Sequence, residues 1–412
     1  MRFSQAMFIT RSSIFTIVAG TLTLASCVAS EPEADEDQQV DELDGTPQMP
    51  HITVCAGGRW SCKAHVRADE QNRIKPFATP SGLGPVDFTS AYKLSAARTS
   101  TATIAIVDAF NYPNAASDLA AYRSQFGLPP CTVANGCLKI VNQTGAASPL
   151  PRNAPAGDDW TVEAALDLDM ASAACPTCKL VLFEAADDVG NGLFVAQNAA
   201  AAMAGVVAIS NSWGGPSDGT DVSLDSQFFT HTQAVNTFVA SGDSGNTGSS
   251  PDYPSTSARV IGVGGTHLVK SSAARGWTET VWSGAGSSCS KVIAKPAYQS
   301  VVPTAACTRR AASDVAAVAD PNTGVAVFNA GVGGWIVVGG TSAASPLVAA
   351  IYARYGISGA SHDASFSYAH TTEFFDITSG SNGRCTSALC RATAGWDGPT
   401  GIGSPNGALL TP

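Results

Sequence analysis

Gly339-Gly340-Thr341-Ser342-Ala343-Ala344-Ser345-Pro346 is the stretch on which the interpretation of this chain depends. Residues 334–338, just before it, form a short apolar run that predicts a strand, and residues 346–355 predict an alanine-rich helix with proline in its first turn. Ser342 would then lie near the positive end of a helix dipole, where an oxyanion is stabilised. The stretch indicates a serine nucleophile, although a capped glycine-rich turn explains the same residues if they stand alone.

From residue 82 onward, short apolar runs alternate with helix-like segments. The predicted strands are 103–108, 179–183, 206–210, 237–240, 260–263 and 325–328. The predicted helices are 115–126, 160–174, 193–204 and 224–235. Asp158 or Asp159 would cap the second helix. This alternation predicts an α/β fold with a mainly parallel central sheet flanked by helices.

The composition fits one large domain with a poorly structured N-terminal lead. The chain has 412 residues, of which 44% are hydrophobic and 14% charged, enough for a large core. Its formal charge is -10, but residues 31–44 hold eight acidic residues and no basic ones, so the remainder sums to about -2. This balance argues against nucleic acid as a partner, and we expect a monomer.

The N-terminus carries an export signal. Arg2 and Arg11 accompany an apolar stretch at 14–24 that is too short to span a bilayer. Leu24-Ala25-Ser26-Cys27 resembles the bacterial lipobox, which would make Cys27 a lipid anchor, and the alternative is an ordinary signal peptide cut nearby. We expect a protein that is secreted or anchored at the cell envelope.

Three segments follow from these observations. Residues 1–27 form the signal peptide, residues 28–81 an acidic tether and a short N-terminal lead or propeptide, and residues 82–412 the main domain.

Ten further cysteines fall into couples that are close in sequence. The couples are Cys55 and Cys62, Cys131 and Cys137, Cys175 and Cys178, Cys289 and Cys307, and Cys385 and Cys390. Five local disulfides are the economical interpretation for an exported protein. Cys175 and Cys178 could instead form a redox or zinc half-site, but no second C-x-x-C or paired histidine accompanies them.

Glu163 and Asp167 are four residues apart on the predicted helix 160–174, so their side chains leave the same face. The apolar residues around them predict a largely buried helix, although a solvated face would also tolerate the pair. In a buried pair one carboxyl is driven toward its protonated form and bonds its neighbour, which gives a coupled acid/base unit. Asp169, six residues from Glu163, is turned away, so Asp167 is the preferred partner.

Asp243 lies in Ser241-Gly242-Asp243-Ser244-Gly245, directly after the predicted strand 237–240. Strand ends are where α/β folds place catalytic groups, and a turn aspartate is the alternative. Residues 242–245 also resemble the nucleophile motif of trypsin-like proteases, with Ser244 as nucleophile. That fold is all-β, and this chain has neither its histidine motif nor its strand pattern.

A serine nucleophile needs a base. None of the histidines stands in the His-Gly-Thr setting that supplies the base of subtilisins; they are His51, His65, His231, His267, His362 and His370.

Three motifs resemble, in order and spacing, those of the sedolisin family of serine-carboxyl peptidases, which share a subtilisin-like fold. They are Glu163-x-x-x-Asp167, the 241–245 motif and Gly340-Thr341-Ser342-Ala343-x-x-Pro346. The resemblance covers about residues 82–412. Asp108 ends the first strand, where subtilisins have a catalytic aspartate, but without a partner histidine we expect it to be structural.

The resemblance implies an endopeptidase that acts on proteins or peptides. Ser342 attacks the scissile carbonyl, and Glu163 takes its proton and later hands it to the leaving amine. Asp167 orients Glu163, and Asp243 helps form the oxyanion hole. A carboxyl donates a hydrogen bond to an oxyanion only when protonated, so this chemistry favours acidic pH or a strongly raised pKa at Asp243.

The resemblance also implies one structural calcium ion near the C-terminus. The implied ligands are the side chains of Asp376 and Asp397 and the carbonyls of Ile377, Thr393 and Gly395. The family's usual Gly-Pro-Gly-Trp-Asp is Thr393-Ala394-Gly395-Trp396-Asp397 here, so the site survives unless the backbone at 393 requires glycine. Two turn-stabilising aspartates are the alternative.

Two other functions stay open at this point. One is a neutral subtilisin-type protease, which would need a histidine base. The other is a catalytically inactive, surface-anchored binding scaffold. A further departure from the family is the short lead over residues 28–81, since relatives usually carry a long prodomain.

Overall fold

The computed structural model describes residues 49–55, 57–248, 250–357, 359 and 363–411. The predicted signal peptide, Cys27, the acidic tract and His362 lie outside the described residues. No helix in the described ranges is long and apolar enough to cross a membrane.

The strands follow one another along the chain, and we number them in that order. They are β1 His51–Thr53, β2 Ser61–Cys62, β3 His65–Arg67, β4 Thr103–Ala109, β5 Leu138–Asn142, β6 Lys179–Ala185, β7 Val206–Asn211, β8 Trp213–Pro216, β9 Asn236–Ala240, β10 Asn246–Gly248, β11 Asp252–Tyr253, β12 Ile261–Lys270, β13 Trp277–Val281, β14 Ser287–Ala294, β15 Arg309–Ala311, β16 Val315–Val318, β17 Val325–Asn329, β18 Gly334–Gly339, β19 Phe374–Phe375 and β20 Ser404–Pro405.

The helices are numbered in the same way. They are α1 Pro85–Ala91, α2 Ala115–Gln125, α3 Trp160–Ala174, α4 Gly192–Ala202, α5 Asp221–Phe228, α6 Thr341–Tyr355 and α7 Ser365–Ala369. Short 3₁₀ turns lie at Ala297–Val301, Pro321–Thr323, Ala330–Val332 and Thr371–Glu373.

A central sheet has the strand order β13-β12-β9-β7-β4-β6-β5, with β16 also paired to β12. Its strands are parallel except β13, which runs antiparallel to β12. Strands covered on both faces are apolar over most of their length, as β4 is from Ile104 to Val107. The predicted α/β architecture is confirmed, and helices α3 and α6 pack directly against each other.

Several predicted bounds were wrong. Helix α5 ends at Phe228 rather than 235. Strands β17 and β18 pair antiparallel in a separate sheet, because the 3₁₀ turn at Ala330–Val332 joins them as a hairpin. Asp159 occupies the N-cap position of α3, but its side chain accepts from the Thr161 hydroxyl at 2.7 Å instead of capping the helix.

Helix α6 begins at Thr341, five residues before the predicted start. Pro346 therefore lies inside the helix, where it leaves the carbonyl of Ser342 without its usual donor. The Ser212 hydroxyl lies 3.4 Å from that carbonyl oxygen and donates to it. This outside donor makes the proline tolerable at the sixth helical position.

The lead is part of the packed structure from residue 49 onward. Strand β3 pairs antiparallel with β18, and β2 pairs antiparallel with β8. Trp60, Cys62 and Val66 are buried in the main core. The lead thus crosses the C-terminal end of the central sheet.

All five expected disulfides are present. They join Cys55 to Cys62, Cys131 to Cys137, Cys175 to Cys178, Cys289 to Cys307, and Cys385 to Cys390. Cys175 and Cys178 close the turn between α3 and β6.

Candidate active site

The four side chains predicted to act in catalysis lie together near the C-terminal ends of β4, β7 and β9. Glu163 and Asp167 come from α3, Ser342 from the first turn of α6, and Asp243 from the loop after β9. Ser342, Asp167 and Asp243 all lie close enough to Glu163 to influence its pKa. Asp169 accepts instead from the main-chain N–H of Phe328 at 3.0 Å, so it faces away from the cluster as predicted.

Ser342 is presented by a backbone conformation that favours glycine. Gly340, the N-cap of α6, has φ 101°. A Cβ at this position would overlap both the carbonyl oxygen of Lys63 and Oδ2 of Asp243. The glycine therefore permits a close approach of peptide backbone to the serine.

The Ser342 hydroxyl bonds main-chain groups on both sides. Its Oγ donates to the carbonyl of Ser212 at 3.2 Å and accepts from the N–H of Lys63 at 3.0 Å. Ser212 Oγ also lies 2.8 Å from Oδ1 of Asp167, and its single hydrogen is shared between this carboxyl and the more distant Ser342 carbonyl. Ser212, which the sequence analysis did not single out, thus connects the serine to the carboxyl pair.

The carboxyl pair is withdrawn from solvent. Glu163 and Asp167 are both 0% exposed. Burial, and after it the charge of Asp108, raises the pKa of each carboxyl well above its usual range. The hydroxyl of Ser342 acts in the opposite direction on Glu163. The pair therefore retains protons at pH values where exposed carboxyls have lost them.

Asp108 belongs to this cluster, which the sequence analysis missed. It lies opposite Glu184 in the β4–β6 ladder and is 1% exposed. Burial first, and then the charge of Glu184, raises the pKa of Asp108 to about 8. Burial raises the pKa of Glu184 to about 7. The available signal was that two neighbouring strands each carry an acid near their C-terminal end.

Asp243 binds the start of helix α6. Its Oδ1 accepts from both the main-chain N–H and the hydroxyl of Thr341, each at 2.8 Å. Its side chain is only 7% exposed, and Oδ2 lies 3.4 Å from Nε2 of His65. Burial raises the pKa of Asp243 to about 7, against the opposing effect of the Thr341 hydrogen bonds. Below that pH the carboxyl is neutral and can donate.

His65 is a poor candidate for a base. Burial, followed by the nearby His51 and Lys63, lowers its pKa to about 3. Its Nε2 lies within ion-pair distance of Asp243, so the ring is directed to that carboxyl and not to the Ser342 hydroxyl.

The lead occupies the cleft in front of Ser342. The main-chain N–H of Ser342 donates to the carbonyl oxygen of Lys63 at 2.9 Å, and the N–H of Lys63 donates to the carbonyl of Ser212 at 3.0 Å. Oδ2 of Asp243 lies near the carbonyl oxygen of Lys63, because a Cβ at Gly340 would overlap both atoms. A peptide carbonyl thus stands where the serine N–H and a carboxyl converge.

The disulfide between Cys55 and Cys62 lies over Glu163. Both sulfurs are within 4.8 Å of a Glu163 carboxylate oxygen. Because each thiol is used in the disulfide, this group has no thiolate to offer a metal.

Comparisons with known proteins agree with this geometry. A model of the subtilase family matches residues 164–356. Kumamolisin from Bacillus sp. (strain MN-32) is 32% identical over 368 residues, which cover 81% of this chain and 64% of kumamolisin. Sedolisin from Pseudomonas sp. (strain 101) is 31% identical over 395 residues, which cover 85% of this chain and 65% of sedolisin.

A solved structure shows which part of the wider subtilase group this chain resembles. Pseudomonas sedolisin (serine-carboxyl proteinase), complexed with two molecules of pseudo-iodotyrostatin, matches with a TM-score of 0.66 at 26% identity, over 80% of this chain and 97% of that one. This chain belongs to the sedolisin family. It spans slightly less than two thirds of the length of kumamolisin and of Pseudomonas sedolisin.

The C-terminal loops of this sedolisin-family chain place the two predicted calcium-binding aspartates near each other. Oδ2 of Asp376 accepts from the N–H of Gly395 at 3.0 Å. Asp397 is 0% exposed, and its Oδ1 accepts from the N–H and hydroxyl of Thr400. Burial raises the pKa of Asp397 to about 7, and the charge of Asp376 adds to the effect.

The carboxylate and carbonyl oxygens of these loops are suitable ligands for a hard cation such as calcium. No main-chain N–H in the described ranges donates a hydrogen bond to the carbonyl oxygens of Ile377, Thr393 or Gly395. Gly395 has φ 86°, whereas the described non-glycine residues with positive φ are Asn72, Lys93 and Phe110. Threonine at 393 therefore causes no backbone strain, and the departure from the family motif keeps a main-chain carbonyl at this position.

The buried carboxyls predict how stability depends on pH. The folded-state pKa values of Asp243 and Asp108 are raised to about 7 and about 8, while unfolded carboxyls titrate near 4. Their contribution to stability is fully present below about pH 4 and is lost as the pH rises through 7 to 8. We expect the free energy of unfolding to decrease between pH 4 and pH 8 by up to about 1.4 kcal/mol per pH unit for each such group. The Tm should fall over the same range.

Thermal unfolding followed by circular dichroism checks this, in a Ser342→Ala background that prevents self-digestion. Asp243→Asn should flatten the slope, because an amide does not titrate. Glu70→Gln, at an exposed position of the lead, is the control and should leave it unchanged. A Tm that rises toward pH 8 would contradict the assignment of buried, protonated carboxyls.

Proposed function

We propose that this chain is a serine-carboxyl endopeptidase that hydrolyses peptide bonds of proteins at acidic pH. One observation carries the proposal. The carbonyl of Lys63 accepts from the N–H of Ser342, while the Ser342 hydroxyl lies beside the same residue. A peptide carbonyl that accepts from the N–H of the serine supports an acyl-transfer site, because such a site needs a nucleophile and oxyanion donors around one carbonyl.

Each carboxyl has a distinct role in the proposed reaction. Ser342 Oγ attacks the carbonyl carbon and its proton passes to Glu163, which Asp167 orients. The oxyanion accepts from the N–H of Ser342 and from protonated Asp243. When the C–N bond breaks, Glu163 returns the proton to the departing amine and leaves an acyl-enzyme on Ser342. Water then hydrolyses this ester, with Glu163 again as base and acid.

Acidic pH favours these roles, with Glu163 as the base and Asp243 as a protonated hydrogen-bond donor. A histidine, with an ordinary pKa of about 6.5, would be charged in acid and could not accept the serine proton. The pKa of Asp243, raised to about 7 by burial, keeps that carboxyl available as a donor throughout the acidic range.

Casein hydrolysis at pH 4 tests the catalytic assignment. Ser342→Ala should abolish cleavage, and Glu163→Gln should lower kcat/KM by about 10²–10⁴. Asp243→Ala should cost about 10²–10³. Asp243→Asn keeps a donor that does not titrate, so its activity should persist above pH 7 relative to its own maximum. Ser124→Ala, at an exposed position of helix α2, is the matched control and should leave cleavage unchanged.

Labelling of Ser342 by a peptide aldehyde at acid pH separates the alternatives. Casein cleavage by Ser342→Ala protein would overturn the assignment. Activity confined to neutral pH would favour a histidine base, and a folded wild type that neither labels nor cleaves would favour a binding scaffold.

We infer that the lead, from residue 49 to Arg67, keeps the enzyme latent. Ser61 and Cys62 pair with Gly214 and Trp213, along the edge strand where an extended substrate would bind. External substrate must therefore displace the lead, and the casein assay should show a lag that prior incubation at pH 4 removes.

We propose one structural calcium ion, held by the side chains of Asp376 and Asp397 and by the carbonyls of Ile377, Thr393 and Gly395. Such an ion would offset the repulsion between the two carboxylates and join two C-terminal loops. Calcium at 100 times its Kd should stabilise the folded protein by about 2.7 kcal/mol. Asp376→Asn should lose most of this gain, measured as the calcium-dependent change in Tm.

Glu70→Gln, far from these ligands in sequence, serves as the control and should keep the full calcium effect. An unchanged Tm of the wild type on addition of calcium or of a chelator would contradict the site.

We propose that the protein is exported, and that Cys27 carries a lipid anchor. The five disulfides support an oxidising compartment. In native material the ten paired cysteines should resist alkylation, and mass spectrometry should find an acyl modification that Cys27→Ser lacks. Reduced thiols and an intact N-terminal Met1 would contradict export.

A further inference from the structure

A cavity of about 410 Å³ lies beside the nucleophile, and the side chain of Lys63 extends along it. The ammonium of Lys63 ends 2.8 Å from Oδ2 of Asp252, in a pair whose side chains are 15% and 24% exposed. Its lining also includes Gly214, Gly242 and Thr247, together with Arg59, a second cation that belongs to the lead and pairs with Asp218. The cavity is therefore a slot with a carboxylate where the lysine ends.

Lys63 is the residue whose carbonyl stands at Ser342. The segment before it runs antiparallel to β8, with Ser61 opposite Gly214 and Cys62 opposite Trp213. Side chains alternate along an extended segment, so Cys62 lies beside Glu163 while Lys63 takes the slot. The side chain in the slot is thus the one immediately before the bond presented to the serine.

The slot suits a long aliphatic side chain with a positive end. A Cβ at Gly214 would lie 3.4 Å from Cε of Lys63, and a Cβ at Gly242 would lie 3.0 Å from Oδ2 of Asp252. Two glycines thus leave room for the methylene stem and for the carboxylate. Side chains at these positions would narrow the slot.

Asp252 is held in place by its own backbone. It lies on β11, opposite Pro216 in the antiparallel ladder with β8. Its main-chain carbonyl accepts from the hydroxyl of Thr256 at 2.8 Å. Within the described ranges, Lys63 is the cation that lies within ion-pair distance of Asp252. Departure of the lead would leave this carboxylate facing an empty slot.

We propose that this slot is the subsite for the residue that precedes the cleaved bond, and that Asp252 selects lysine or arginine there. The substrates would be proteins cleaved on the carboxyl side of basic residues, which rests on the peptidase function proposed above. A carboxylate within a confined site favours a cation over an uncharged side chain of equal length.

The bond between Lys63 and Ala64 is then the first substrate. Ser342 Oγ bonds to the Lys63 carbonyl carbon, the C–N bond to Ala64 breaks, and the proton from Ser342 passes through Glu163 to the new amine of Ala64. Water hydrolyses the acyl-enzyme and leaves Lys63 with a free carboxylate.

Peptides that differ only at the residue before the cleaved bond test the subsite on the full chain. Wild type should cleave after lysine or arginine with a kcat/KM about 10²-fold above that for norleucine, which has a similar apolar stem without the charge. Asp252→Asn should reduce this preference to below about 5-fold, measured as the ratio of the kcat/KM values for the lysine and norleucine peptides with the same variant, so that any effect of Asp252 on Asp243 cancels. Asp252→Lys should favour glutamate. Asp218→Asn, which removes the carboxylate paired with Arg59 of the lead, is the matched control.

A binding measurement distinguishes failure of the subsite from failure of the peptidase proposal. Fluorescein-labelled peptides that end in lysine or norleucine are titrated into full-length chain carrying Ser342→Ala and Lys63→Gly, which cannot cleave and has no side chain in the slot. The peptides reach millimolar concentration, so that both can displace the main chain of the lead. Lysine should bind at least 10-fold more tightly, and Asp252→Asn should remove the difference while circular dichroism stays native.

Equal binding of the two peptides overturns the subsite whether or not the chain is a peptidase. Ser342-dependent cleavage without preference for basic residues also overturns it, while the peptidase function stands. Selective binding without any cleavage supports the subsite and contradicts the peptidase.

Discussion

Water is excluded from a group of carboxyls that surrounds one hydroxyl, and the rest of the site depends on this constraint. Glu163, Asp167, Asp108 and Glu184 are each no more than 1% exposed. Ionised carboxylates in such a place would be very costly, so the cluster is compatible with folding because its members retain protons. The same condition that permits folding supplies neutral donors and a shared proton for chemistry.

The geometry around the hydroxyl follows from two local features of helix α6. Gly340 allows backbone to pass close to the helix start, and Pro346 exposes the carbonyl of Ser342 to the Ser212 hydroxyl. That hydroxyl also binds Asp167. A helix-breaking residue inside the helix is thus compensated by a contact that connects the serine with the carboxyl pair.

The sequence predicted the central sheet and helix α3 well, because the buried strands are short apolar runs and the helix is rich in alanine and leucine. Glu163 and Asp167 were recognisable since helical spacing alone places them on one face. Asp108 was expected to be structural, but its proximity to the cluster could not be predicted, because this part of the cluster arises from the parallel pairing of β4 with β6. Parallel pairing joins residues that are distant in sequence, and no local pattern reveals it.

The position of the lead in the cleft could not be predicted either, because it also depends on contacts between residues that are distant in sequence. Met49–Arg67 is short and partly polar, and nothing local shows that Lys63 reaches Ser342, 279 residues further along the chain. The early start of α6 was missed because Pro346 usually marks the first turn of a helix. Here an external hydroxyl satisfies the carbonyl that proline leaves without a donor.

The ring closed by Cys55 and Cys62 ends one residue before Lys63. A closed ring has few conformations, so the strand loses most of its conformational entropy when the disulfide forms during folding. Little further entropy is lost when the strand binds in the cleft. Because the strand is also tethered, its effective concentration at the serine is on the order of millimolar. Any free polypeptide must compete with this strand, so the rate at which an external substrate is first cleaved depends on how fast the strand is itself cleaved or released.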